Sequence, residues 1–349
     1  MHFSVLIPFR NEAHNLPYLL KSIASLDYPS KAFEILLIDD ASTDTSLQVI
    51  QDFINSYPSL SIRVLPSIRT TGSPKKDALS VGIDQAQNKW ILTTDADCTL
   101  EKTWLLALND CIQVYAPKMI VAPVSITSSR SINFINAYEH LDFLSLMGAT
   151  IGGFGLGLPF LCNGANLAYE KEAFVAVNGF VNNDHIASGD DHFLLEKFVK
   201  TFPKQVRYLN TLEASVTTQP QSHWKALISQ RVRWASKTSS YSFWFSRMVG
   251  IAVFLANLIA GIFVLALSFV FLGDTAFAKA ISNQLLLGTL FIKYTVDFAL
   301  LAQTTSFFDR KKYLKWYPLI MICYPIITIY ISIKALTSSY EWKGRRFKQ

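Results

Sequence analysis

Carboxylates gather where the apolar runs of the first hundred residues stop. One run ends in Pro8-Phe9-Arg10-Asn11-Glu12, a second in Asp39-Asp40-Ala41-Ser42-Thr43-Asp44, and a third in Thr94-Asp95-Ala96-Asp97-Cys98. Acids held side by side repel, and a divalent cation is the usual remedy. Mg²⁺ binds through one or two carboxylates completed by substrate phosphates. Asp95 and Asp97, closing the run WILTT, are placed for that work. Asp44 has a plainer use at a helix start, where the dipole favours an acid and Ser42 or Thr43 supplies the cap. Farther on, Ser188-Gly189-Asp190-Asp191-His192-Phe193 sets two adjacent acids ahead of a helical pattern. Neighbouring side chains point apart, so one acid can face a cleft as a general base while the other caps the helix. Gln230-Arg231-Val232-Arg233-Trp234 lies on a helix leading to an apolar stretch. Arg and Trp in such a place also serve as headgroup anchors.

Other chemistries lack their residues. No GxxxxGK[ST] and no GxGxxG follows the first strand, so neither a P-loop nor a dinucleotide fingerprint is present. The glycines of 152–157 have no strand–turn–helix context and read as a loop or a close-packed surface. His140, His185, His192 and His223 show no HExxH or paired ligand spacing, and His2 and His14 add nothing. Cys98, Cys111, Cys162 and Cys323 are scattered without a CxxC pair, which argues against a disulfide framework and for a reducing compartment.

The elements that must position these residues alternate. Strands are expected at 3–8, 34–40, 62–65, 90–94 and 119–122, with helices at 15–26, 43–56, 76–88 and 101–115 between them. That order predicts an α/β domain with a mainly parallel sheet. Ligands of such sheets bind beyond the carboxyl ends of the strands, where the acids lie.

The remainder of the chain is of a different kind. Half of the 349 residues are hydrophobic and 17% are charged, against roughly 25% charged in soluble domains. Residues 251–272 carry no charge over 22 positions. As a helix they would run about 33 Å, enough for a hydrocarbon core of about 30 Å. Two further apolar runs cover 285–302 and 316–333. Spans are therefore expected at about 250–272, 284–303 and 316–336 within a membrane region 241–340. A domain over 1–240 precedes it, and a basic tail, 341–349, follows. No signal peptide is evident at the N-terminus, which places the first domain on the cytoplasmic side. The net charge of +6 collects beside the apolar runs, at Arg310, Lys311, Lys312 and Lys315. That is the pattern membranes impose and not the basic stripe of a nucleic-acid binder. Three spans would leave the basic residues of 343–348 on the far side, and Pro318 and Pro325 interrupt the third run, so a re-entrant third segment is a second expectation. Lys293 and Asp297 share one face of the second run. They read either as a neutralising pair that locks helices or as a place where an acceptor phosphate meets the chain.

Taken in order, the segments VLIPFRNE (5–12), LLIDDASTD (36–44), KKDALSVG (75–82), TTDADC (93–98), GANLAY (164–169), SGDD (188–191) and QRVRW (230–234) form a pattern. It resembles family-2 inverting glycosyltransferases of the GT-A fold, the group that includes cellulose, chitin and hyaluronan synthases. The resemblance covers about residues 3–240 and implies a nucleotide-sugar-binding domain followed by an all-α membrane region. It implies that Pro8, Arg10, Glu12, Asp39 and Asp40 hold the base and ribose of a nucleotide-sugar, with Lys75 helping in that subsite. Asp95 and Asp97 correspond to the DxD pair, the second acid holding Mg²⁺ or Mn²⁺ on the donor diphosphate. Asp191 corresponds to the base, with Asp190 where the family commonly has Glu. Gln230, Arg233 and Trp234, with Arg231 between them, correspond to the QxxRW motif that meets the diphosphate and the acceptor sugar. The implied partners are a UDP- or GDP-sugar, a lipid-linked or saccharide acceptor, and membrane lipid. The rival readings are a polyprenyl-phosphate glycosyltransferase that makes a one-sugar lipid and a non-enzymatic membrane scaffold.

Overall fold

Strand β1 (Phe3–Phe9) is apolar at nearly every position because both of its faces are covered, as in parallel sheets generally. It pairs in parallel with β2 (Phe33–Asp39) on one side, Phe3 opposite Phe33. In the computed structural model, residues 1–128, 132–183, 186, 188–271, 284–337, 339–343 and 345–347 are described. His185, Leu272 and Lys348, each within a stretch singled out above, lie outside them. Helices α1 (Leu16–Ala24), α2 (Ser46–Ser56) and α3 (Pro74–Gln85) make the crossovers to β2, β3 (Ser61–Pro66) and β4 (Trp90–Thr93). The parallel order is β3-β2-β1-β4. Val5, Leu6, Ile7, Ile35, Leu36, Leu37, Ile91 and Leu92 are fully buried between the layers. Where a charge enters that layer it is matched: Glu34 accepts from the Ser4 hydroxyl at 2.6 Å and pairs with Arg63 at 2.8 Å.

These four strands fall where the alternation of the sequence puts them. Apart from the one expected at 119–122, the strands after β4 are harder to read. The elements β5 (Cys98–Leu100), α4 (Trp104–Tyr115), β6 (Met119–Val121), β7 (Val124–Ile126), α5 (Phe134–Gly155), β8 (Leu167–Glu170), α6 (Lys171–Ala176), α7 (Asp190–Thr201), β9 (Val206–Tyr208) and β10 (Val216–Thr218) follow. Strand β8 pairs antiparallel with β4 and with β6, and β9 runs parallel to β6, which completes the order β3-β2-β1-β4-β8-β6-β9. A second sheet is β5-β10-β7. The glycine-rich segment begins as the last turn of α5 rather than as a loop.

The chain divides into two compact units: residues 1–127 with 150–219, and 128–149 with 220–349. The division thus falls elsewhere than the sequence boundary at 240. Helix α8 (Trp224–Ser236) packs Val232 against Ile331 and Ala335, near the C-terminus, which gives it an apolar attachment inside the second unit. Among the described residues that unit also holds three helices long and apolar enough to cross a membrane. They run over Trp244–Leu267, Gln284–Phe307 and Lys311–Thr337. The third is helical over Tyr317–Thr337 with Pro325 inside, so the expected interruption does not break it.

Candidate functional site

The loops after β1 and β2 interlock. Arg10 Nη1 donates to the carbonyl oxygens of Asp40 (2.6 Å) and Ala41 (2.8 Å). Asn11 and Ala41 both take left-handed backbone, at φ 53° and 54°. The Asn11 side chain accepts from the Thr43 amide at 2.7 Å, and Asp39 Oδ1 accepts from the Ser42 amide at 2.9 Å. Ser42 and Thr43 are therefore spent on the facing loop and do not cap α2, whose N-cap is Thr45. Asp44 does the work at that end, accepting from the Ser46 and Ala13 amides at 3.0 Å each. Burial pushes its carboxyl up, but the bonds from Ser46 and Ala13 outweigh that and hold it below the ordinary carboxylate value. Asp40 is buried and ion-paired with Arg69. Glu12, also buried, accepts from the Asn15 amide group at 2.7 Å, and Pro8 is the penultimate residue of the β1 ladder, opposite Ile38.

Beyond β4 the acids meet a lysine. Lys75 Nζ lies 2.6 Å from Asp95 Oδ1 and 3.2 Å from Asp190 Oδ2. Its position is thus between the strand end and the start of α7. Burial alone would lower its pKa, but Asp190, Asp95 and Asp191 raise it well above the usual lysine value. Asp191 is held by amides on both oxygens: Gly164 N–H to Oδ2 at 3.2 Å and His192 N–H to Oδ1 at 2.7 Å. Gly189, at φ 84°, supplies the left-handed residue that turns the chain into α7.

Strand β8 explains why Gly164 is there. Its pairing with β4 carries the preceding turn to the strand end, where Thr93 Oγ1 donates to the Gly164 carbonyl at 3.0 Å. Asn166 fixes that turn from inside: its amide group donates to Pro123 O (2.7 Å) and Ala214 O (2.8 Å) and accepts from Trp104 Nε1 (2.9 Å). Asp97 accepts from the Cys98 thiol at 3.5 Å; burial, then Asp97 and Asp95, push that thiol well up, so it stays protonated. Among the described residues no group of three or more His, Cys, Asp or Glu surrounds a point, so any cation here would have an incomplete protein shell. Two strand-end carboxylates suit Mg²⁺ or Mn²⁺ completed by phosphate oxygens better than a closed cage would.

Sequence reasoning passed over the end of β3, where Arg69 lies. Arg69 reaches Asp40 and also sits 3.8 Å from Asp77. Asp77 accepts from the hydroxyls of Thr70 and Thr71 at 2.8 Å and from their amides at 3.2 Å. Lys76 was missed as well. It is 1% exposed, and its ammonium donates to the carbonyls of Asn183 (2.5 Å), Ile186 (2.8 Å) and Ser188 (3.4 Å), just ahead of Asp190. The signal was the polar run RTTGSPKKD after a strand, the rule already applied at the other strand ends.

In the second unit the QRVRW segment lies on α8. Arg231 is buried and bonded to Asp142 of α5. Gln230, Arg233 and Trp234 are half-buried. In the second apolar helix Lys293 donates to Asp297 at 2.6 Å; the lysine is 10% exposed and the acid 45%. An approaching anion would meet the carboxylate first, which is the arrangement of a self-neutralised pair and not of a phosphate receiver.

A mainly parallel sheet flanked by helices, with carboxylates at the carboxyl ends of its strands, is the GT-A class of architecture. Residues 4–171 match the model for glycosyl transferase family 2, and the chain carries a glycosyltransferase domain of that family. A poly(ribitol-phosphate) beta-N-acetylglucosaminyltransferase, TarS, of Staphylococcus aureus is 33% identical over 105 residues, 30% of this chain and 18% of that protein. A dolichyl-phosphate beta-glucosyltransferase of Dictyostelium discoideum is 34% identical over 107 residues, 29% of this chain and 32% of that one. The match spans under a third of the length of either relative. The mannosyltransferase PcManGT of Pyrobaculum calidifontis, solved with GDP-Man and Mn²⁺, shares the fold. Its TM-score is 0.55 at 17% identity, covering 96% of this chain and 87% of that one.

Proposed function

We propose that the protein is a membrane-bound inverting glycosyltransferase that moves a sugar from a UDP- or GDP-sugar to a lipid-linked or saccharide acceptor in envelope glycan or polysaccharide synthesis. Its catalytic domain faces the cytoplasm. The observation that carries this reading is the meeting of Asp95, Lys75, Asp190 and Asp191 around Gly164 at the end of β4. In this reading Asp191 takes the proton of the acceptor hydroxyl as its oxygen bonds to the anomeric carbon. The bond from that carbon to the diphosphate breaks on the opposite side, the nucleoside diphosphate leaves, and configuration inverts. Two amide hydrogen bonds aim Asp191 for that role. Lys75 ties Asp190 and Asp95 together through its two ion pairs. Asp39, Asp40 and Glu12, in the framework made by Arg10 and Arg69, bind the nucleoside. Asp97, with Asp95, would hold Mg²⁺ or Mn²⁺, which when bound offsets charge on the departing diphosphate. Gln230, Arg233 and Trp234 serve the acceptor sugar and the diphosphate. The Mn²⁺ and GDP-Man of PcManGT and the N-acetylglucosamine named for TarS support a nucleotide-sugar donor with a divalent cation.

Similarity to the dolichyl-phosphate glucosyltransferase favours a second reading, transfer of one sugar to a polyprenyl phosphate. Both are tested by incubating membranes that contain the protein with radiolabelled UDP- and GDP-sugars and sizing the extracted product. Label in an oligosaccharide or polymer supports the first reading, and a single-sugar lipid supports the second. No transfer and no donor binding with any sugar would refute both.

A further inference from the structure

Arg231 is an expensive residue to keep where it is. Its side chain is 6% exposed, and Nε donates to Asp142 Oδ2 at 2.5 Å, itself in a side chain 10% exposed. Nη1 donates to Gln230 Oε1, while Nη2 has no hydrogen-bond partner among the described residues. Buried charges of this kind add little to stability compared with apolar packing, and an unpartnered nitrogen makes the balance worse. The arrangement does, however, fix geometry. Gln230 and Trp234 are four residues apart on α8 and share one face. The guanidinium carbon lies 4.3 Å from the Trp234 ring centroid. Phe143, next to Asp142 on α5, reaches the same ring at 6.3 Å. One guanidinium, aimed by one carboxylate, thus touches both ends of the QRVRW segment.

The chemistry of the contact also settles which way the Gln230 amide faces. A guanidinium has only donors to offer, so Gln230 must turn its oxygen inward. Its NH₂ is then directed away from Arg231, and among the described residues it has no hydrogen-bond partner. We propose that Asp142 and Arg231 are positioning residues: through one buried ion pair they present Gln230 as a hydrogen-bond donor and Trp234 as a stacking plane to the acceptor sugar. This rests on the glycosyltransferase reading above. It adds a polarity, because the acceptor group that meets Gln230 must be an oxygen with a free lone pair, such as a sugar hydroxyl.

The experiment uses the full chain in membranes and measures acceptor KM, kcat and thermal stability for Gln230→Glu, Asp142→Asn and Asp142→Glu. Gln230→Glu strengthens the contact with Arg231 yet removes the outward donors. Its melting temperature should hold or rise while acceptor KM rises at least tenfold. Asp142→Asn should raise acceptor KM tenfold with kcat at saturating acceptor falling less than threefold, and Asp142→Glu should restore part of the loss. A purely structural pair would instead lower stability and leave KM alone. Wild-type acceptor KM in a folded Gln230→Glu protein would overturn the proposal whatever the Asp142 variants do. A wild-type protein that transfers no sugar would remove the glycosyltransferase reading and this one with it.

Discussion

Gly164 offers the sharpest perturbation because one methyl group reaches three functional side chains. A Cβ built there would stand 3.0 Å from Asp190 Oδ2, 3.3 Å from Asp191 Cβ and 3.4 Å from Lys75 Nζ. Its backbone is not left-handed, so alanine brings no strain of φ. The Asp190 carboxylate must retreat by about 0.4 Å to reach ordinary van der Waals contact, and Lys75, tied to it at 3.2 Å and to Asp95 at 2.6 Å, must follow. Overpacking of this size costs about 1–3 kcal/mol, offset by about 0.4–1 kcal/mol from the stiffer unfolded chain. Gly164→Ala should therefore fold, with a small fall in Tm. Activity is the more sensitive quantity. A misplacement of 1 Å can cost about 10²-fold, so a shift of under half that distance should cost about tenfold, or about 1.4 kcal/mol of barrier. The assay is the initial rate of label transfer at saturating donor beside a thermal melt, with Gly152→Ala as control, since a Cβ there meets nothing within 4 Å. Wild-type turnover in a folded Gly164→Ala protein would refute the placement of Asp190, Asp191 and Lys75 in the reaction.

Asp191→Asn should cut transfer by about 10²–10⁴ with little change in donor affinity; a dead Asp190→Asn beside an active Asp191→Asn would show the two acids reversed. Asp97→Ala, or EDTA treatment of the wild type, should abolish transfer and metal-dependent donor binding while the melt is unchanged, and full turnover in EDTA would refute a metal role. Lys76→Met strips the cation from the carbonyls of Asn183, Ile186 and Ser188. It should speed proteolysis in that segment and lower kcat about tenfold, by the same misplacement argument. Unchanged proteolysis would show that Lys76 does not hold the loop.

The sequence made half of the first unit legible and the reasons are physical. Strands β1, β2 and β4 are buried at nearly every position, so their apolar runs stand out, and the crossover helices α1 and α2 are amphipathic. Of the later strands only β6 was marked, expected at 119–122 and found at Met119–Val121; β5 and β7 to β10 have three or four residues each, too few for periodicity to show. With them the sequence concealed the antiparallel insertion that carries Gly164 to Thr93 and thereby joins the β4 acids to Asp190 and Asp191. Asp95, Asp97, Asp190 and Asp191 stood out because acids after apolar runs demand an explanation. Asp142 did not, because it lies inside a helical stretch that reads as core, and its partner is 89 positions away. Arg231 was read for its charge, whereas its burial decides its use.

Three consecutive residues at the start of α3 show why pairwise motif reading falls short at this site. Side chains one position apart on a helix point about 100° from each other, so Lys75, Lys76 and Asp77 face three directions. Lys75 reaches the carboxylates of Asp95 and Asp190. Lys76 reaches the carbonyls ahead of α7. Asp77 collects Thr70 and Thr71 and, through the neighbouring Arg69, the Asp40 carboxylate. Three of the segments that bring an acid to the site are thus fastened, directly or through Arg69, to one turn of one helix. Burying Lys76 and Asp77 there gives α3 no clean apolar face, and KKDALSVG looks from composition like an exposed helix. The polar residues are buried because they bind chain segments distant in sequence, and those contacts hold because the residues are buried. A pattern search sees neither half of that dependence, although every residue in it is present in the chain.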